Sequence, residues 1–117
     1  MRSAAIFVRG DLLHAVSHRS IGLVELMTCL PWLHERKIAV LGSDGISHVV
    51  PGGYAEIALP IHTCVLVMMG LHLIDNADLD VLAETCARNS RYVFQFIMAP
   101  LVLKQGTASP VNPLALF

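Results

Sequence analysis

The four residues Ile38-Ala39-Val40-Leu41 form an unbroken apolar run, and Gly42-Ser43-Asp44-Gly45 stops it at once. A short apolar run closed by turn residues predicts a strand buried on both faces that feeds a loop. Such a strand must be covered from either side, and the neighbouring sequence supplies helices. Leu23, Leu26, Leu30 and Leu33 recur at three- or four-residue steps up to Arg36, a helical spacing. Pro31 stands inside that pattern, where an interior proline would lose a hydrogen bond and clash with the preceding turn; it marks the first turn of a second, shorter helix. Pro60 opens a longer helix through about Leu71, loosened near its end by Gly70. Asp78 is placed as the N-cap of a helix over Leu79 to Arg88, with Leu82, Ala83 and Cys86 facing inward.

Further strands are expected on both sides of these helices. Ala4 to Val8 reads as a short strand ended by Gly10-Asp11, whereas residues 11–21 show no period and predict no element. Val49-Val50 runs into a Pro51-Gly52-Gly53 turn. Leu73-Ile74 meets the polar break Asp75-Asn76. Tyr92 to Met98 reads as a long strand, with Val93, Gln95 and Ile97 on one face and Tyr92, Phe94, Phe96 and Met98 on the other. Pro100 ends or bends it, and Leu114 to Phe117 forms a last strand. Strands alternating with helices predict an α/β fold.

Composition narrows the function classes. The chain has 117 residues, enough for one small domain. It is 55% apolar and only 15% charged, which implies surface meant to be covered, either by a partner subunit, with a homo-oligomer expected, or by sequence absent here. A net charge of −1 gives no basic field for nucleic acid. The longest apolar stretch, Cys64 to Leu71, is well short of the ~20 residues of a membrane span. The early apolar run is broken by Arg9 and Asp11, too soon for a signal peptide. Cys29, Cys64 and Cys86 are odd in number and form no CxxC pair, which argues against a disulfide framework or a zinc ribbon and for free thiols in a reducing cytoplasm.

Five segments in order then carry a resemblance: Cys29-Leu30-Pro31-Trp32-Leu33-His34-Glu35-Arg36, Val40 to Ser47, Leu59-Pro60-Ile61-His62, Gly70 to Asn76, and Ser109-Pro110-Val111-Asn112-Pro113. Over residues 22–117 the chain resembles the C-terminal part of the cyclase family of metal-dependent hydrolases, which includes kynurenine formamidase and isatin hydrolase. The resemblance implies a partial swivelling β/β/α domain with a mixed sheet and flanking helices. It implies a divalent metal, zinc or manganese, and hydrolytic opening of a small-molecule amide or lactone. It also places two metal-side residues, His62 and Asp75. Asp75 stands where the family carries Glu, one methylene longer, and the spacing from His62 is one residue longer than the family's. His48 stands where the family often has Asp. The family's His-x-Gly-Thr-His-x-Asp motif is absent, so residues 1–21 read as a divergent or non-family segment, a truncated product or a shifted frame.

Each candidate has a plainer reading. His62 follows Pro60 at a helix start, a position equally suited to a solvated imidazole; imidazole is also the commonest ligand for zinc-type ions. Asp75-Asn76 is either a metal-side carboxylate with an orienting amide or a turn between elements. Asp44 favours an Asx-turn over a role at the site. His72 reads as a structural residue near a helix end, and His34-Glu35 as an exposed helix end without zincin spacing. Tyr92, Phe94 and Phe96 read as core or interface, with no interleaved basic residues for a nucleobase platform. Cys64 and Cys86 have no adjacent His-Asp pair to make either a nucleophile. Three functions follow: a metal-dependent, arylformamidase-like hydrolase; an inactive remnant serving as a folding or oligomerisation module; or a composite site completed by another subunit. His14, His18 and His48 are the further histidines available as ligands.

Overall fold

The computed structural model of the chain describes residues 4–9, 12–17, 30–47, 56 and 59–117. Strands β1 (Ala4–Arg9) and β2 (Leu12–Ser17) pair antiparallel, and β1 pairs antiparallel with β3 (Val40–Ser43). β3 in turn pairs in parallel with β4 (His72–Ile74), giving the order β2-β1-β3-β4. A separate antiparallel pair joins β5 (Gln95–Ile97) to β6 (Leu114–Leu116). Residues 30–35 form helix α1, Pro60–His62 form α2, and Asp80–Asn89 form α3. The fold is α/β with a mixed sheet.

β3 is buried on both faces, as its apolar run predicts. Val40 packs with Ile74, Leu79, Cys86 and Phe94 on the side of α3 and β5. Leu41 packs with Leu33, Ile61, Val65 and Leu71 on the side of α1 and α2. The pleat sends neighbouring side chains to opposite faces, so one strand serves two cores. Fully burying each of these aliphatic side chains contributes about 1.5–3 kcal/mol. The second sheet is held to the first core by Phe94, whose ring lies 5.2 Å from that of Phe117.

Local departures from the predicted elements have physical causes. The buried strand sits two residues later than the apolar run, because Gly42 and Ser43 complete the ladder to β1. Residues 12–17, expected to be without an element, pair with β1 in full register. The long helix from Pro60 is α-helical only to His62 and continues as a π-helix over Thr63–Met68, closed by Met69 N–H donating to the Cys64 carbonyl at 3.0 Å. Gly70 then adopts φ +64° and turns the chain into β4. α3 begins at Asp80, with Leu79 in the N-cap position. The Asp78 carboxylate instead accepts the Asp80 amide at 3.3 Å, which ties the loop just ahead of the helix. Only Gln95–Ile97 of the expected Tyr92–Met98 strand is laddered, since β6 offers three partners. Burial alternates from Phe94 to Met98, with Phe94 buried, Phe96 and Met98 half-buried, and Gln95 and Ile97 exposed, whereas Tyr92, expected on the inner face, is exposed and Val93 half-buried. The expected helix before Leu30, the Gly10-Asp11 stop and the Val49 to Gly53 turn lie outside the described residues. No helix among the described residues is long and apolar enough to cross a membrane.

Candidate functional site

The parallel pairing of β3 and β4 brings their carboxyl ends together, the place where open α/β sheets build sites. Beyond β3 the loop 43–47 is tied by Ser43, whose hydroxyl donates to the Gly45 carbonyl at 2.8 Å and lies 3.1 Å from the Ser47 hydroxyl. Beyond β4, Asp75 is followed by Asn76 with φ +54°, a left-handed conformation that Asn tolerates well. Two backbone bonds dock this turn on the first loop: Asn76 N–H to the Gly45 carbonyl and Ala77 N–H to the Ser43 carbonyl, each 2.9 Å. Asp75-Asn76 is therefore a turn docked on the loop that follows β3.

Within this frame His62 and Asp75 meet. His62 Nε2 lies 3.2 Å from Asp75 Oδ2, and since the carboxylate accepts, the imidazole N–H donates. The other carboxylate oxygen, Oδ1, accepts the Ser47 backbone N–H at 2.9 Å. Ser47 is buried, while His62 and Asp75 are each about a quarter exposed. One oxygen anchored by backbone fixes the direction of the other, so the loop sets the carboxylate that faces His62. This contribution of Ser43 and Ser47 went unread in the sequence, where the only signal was two serines flanking an Asp-Gly turn.

The donor chemistry suits one edge of a metal site. Bonds of about 2.0–2.2 Å place two ligands of a tetrahedral ion roughly 3.3–3.6 Å apart, and a six-coordinate ion brings them to roughly 3.0 Å. The 3.2 Å separation is that of the hydrogen bond just described and lies close to both values, so an ion that displaced the Nε2 proton would take the two atoms with little movement of either. Among the described residues no group of three His, Cys, Asp or Glu side chains surrounds a common point. The strand order sets the His14 backbone on β2, three strand spacings from β4, or about 14 Å. His18 and His48 lie outside the described residues. His72 is exposed on β4 rather than at a helix end, and His34 and Glu35 are exposed on α1 as expected.

Beside the pair lies a cleft of about 850 Å³. Asp75, Asn76, Asp78 and Ser109 line it with Phe94 and Phe96, and His62 does not. Its wall is largely apolar with a few polar groups, and it is broadly open to solvent. Burial pushes the Cys86 thiol above its ordinary value, which makes it a core group rather than a nucleophile.

No protein-family model matches the chain, and no curated protein matches it. Among solved structures it is similar to one described as the crystal structure of a novel cyclase, with 30% sequence identity and a TM-score of 0.63. The match covers 76% of this chain and 28% of that one, so the chain spans little more than a quarter of its neighbour's length. What the match supports for this chain is a cyclase-like α/β fold.

Proposed function

We propose that the chain carries one edge of the metal site of a cyclase-like, metal-dependent hydrolase, arylformamidase-like in opening a small amide or lactone, within a swivelling β/β/α arrangement. The observation that carries this reading is the 3.2 Å approach of His62 Nε2 and Asp75 Oδ2 at the carboxyl ends of two parallel strands. A divalent ion, zinc or manganese, would supply Lewis acidity, activating water near neutral pH and polarising the scissile carbonyl. In that reading His62 and Asp75 hold the ion, and Ser47 N–H keeps the carboxylate aimed at it. The remaining ligands come from outside the described residues or from another subunit. The free Cys64 and Cys86 thiols suit a reducing, cytoplasmic setting.

Two donors bind weakly, because water competes for each open position. Calorimetric titration of the purified chain with zinc or manganese should show weak uptake, lost in both His62→Ala and Asp75→Asn. Turnover of an N-formyl aromatic amide by the chain alone should be negligible. The inactive-module reading is favoured instead if neither substitution alters metal uptake. Robust, chelator-sensitive turnover by the chain alone would overturn the inactive-module reading and show that the chain completes its metal site by itself.

A further inference from the structure

Ser43 holds three points of the site at once. Its carbonyl accepts the Ala77 N–H at 2.9 Å. Its hydroxyl donates to the Gly45 carbonyl at 2.8 Å, and that carbonyl also accepts the Asn76 N–H. A serine hydroxyl carries one proton. With that proton committed to Gly45, the 3.1 Å contact between the two serine hydroxyls has one direction left: Ser47 donates and Ser43 accepts. Ser47 is buried, so its hydroxyl has little recourse to water. The chain of bonds runs from Ser47 to Ser43 to Gly45, and from Gly45 across to the turn that bears Asp75.

We propose that the Ser43 hydroxyl is the positioning group for the His62–Asp75 pair. Ser47 N–H donates to Asp75 Oδ1 at 2.9 Å, which leaves Oδ2 toward His62 Nε2. The aim of the carboxylate therefore depends on where residue 47 sits. Packing does little to fix that position. Ile46 is 62% exposed, and Gly45 has open space where a Cβ would stand. Ser43 itself is laddered to β1 opposite Ala5, so its hydroxyl ties an unpacked loop to a fixed strand. For metal binding the inference rests on the metal-edge reading above. Partners that orient a ligand from behind cost roughly ten- to a hundredfold in metal affinity when lost.

The test is amide hydrogen exchange by NMR on the full chain, which reads the loop with no metal present. Ser43→Ala should speed exchange of the residue 47 N–H by about tenfold, the scale of a buried hydrogen bond left without its partner. The Cys86 amide, in α3, should keep its rate. Ser43→Thr keeps the hydroxyl on a residue suited to a strand and should restore the protection. Ser47→Ala keeps the N–H and loses the hydroxyl. It should also speed exchange, after correction for intrinsic rates, and the double variant should be no faster than S43A, because both substitutions remove the same contact. If S43A loses the fold, S47A is read in its place. Zinc titration then separates this inference from the reading it rests on. Uptake should weaken by roughly tenfold or more in S43A and recover in S43T. No uptake by the unmodified chain, with the exchange effect intact, would refute the metal-edge reading and leave Ser43 as the group that aims Asp75. Unchanged exchange at residue 47 in S43A, failure of S43T to restore it, or undiminished uptake in S43A where the unmodified chain binds zinc would overturn the inference.

Discussion

Cys86 shows how burial sets reactivity at the scale of one side chain. It is fully buried between α3 and the β3–β4 face, and this environment disfavours the thiolate. The thiol form is therefore linked to the folded state. Its contribution is complete below the ordinary value of 9.0 and is lost as pH rises through the higher folded value. Two outcomes are expected. Under native conditions at neutral pH, a thiol reagent should label the half-buried Cys64 well ahead of Cys86, with Cys86 reacting only after denaturant is added. The urea midpoint should also fall above pH 9 less steeply in Cys86→Ser than in the unmodified chain, after correction for the variant's lower starting stability. Equal labelling rates for Cys64 and Cys86 would contradict this account. The inward position of Cys86 was legible from its spacing with Leu82. The His62–Asp75 contact was not legible from spacing, because twelve residues, the π-helix and β4 among them, lie between the two, and the gap closes only where Ile61 and Val65 pack with Leu41 and Leu71. Resemblance named the pair, and topology explains why it meets.

Helix ends follow one rule at the scale of elements. α3 stops with Ser90 at φ +47°, its N–H donating to the Ala87 carbonyl and the Arg91 N–H to the Cys86 carbonyl. α1 stops the same way, with Lys37 at φ +51° and bonds from Lys37 to His34 and from Ile38 to Leu33. Both are the six-to-one and five-to-two pattern that glycine normally closes, here built on residues that bear a Cβ. Removing that Cβ relieves left-handed strain while adding unfolded-chain entropy. Ser90→Gly is expected to stabilise the chain by about 0.5–1 kcal/mol, read as a rise in the urea midpoint at constant m-value. A lowered midpoint would show that the serine side chain contributes more than its backbone costs. The stops were legible to within a residue, at Arg36 and Arg88, but the left-handed residue that makes each one was not, because neither position carries glycine. The π-helix was hidden for another reason: Cys64 to Leu71 is apolar at nearly every position, so no periodicity distinguishes one helical pitch from another. β2 was missed because Leu12 to Ser17 mixes apolar and polar residues, and its strand character comes from pairing with β1.

At the scale of the whole molecule, β3 is the wall between two cores. Val40 belongs to the group with Cys86 and Phe94, and Leu41 to the group with Leu33, Ile61 and Val65. The unbroken apolar run made this partition readable, since only a strand covered from both sides uses every residue in the same way. A consequence follows for the arithmetic of substitution. The two groups share a backbone and no side chain, and packed layers stand about 10 Å apart. A cavity opened in one group is filled, or not, by that group's own neighbours. Leu33→Ala and Phe94→Ala should each cost several kcal/mol, about 2–5 for the leucine and 3–5 for the phenylalanine. Where the scaffold still folds, milder versions such as Leu33→Val and Phe94→Leu should combine additively to within about 0.5 kcal/mol. Leu33→Val with Ile61→Val, inside one group, should not. The sheet thus works as a thermodynamic partition, and each layer can vary its residues with little regard to the other.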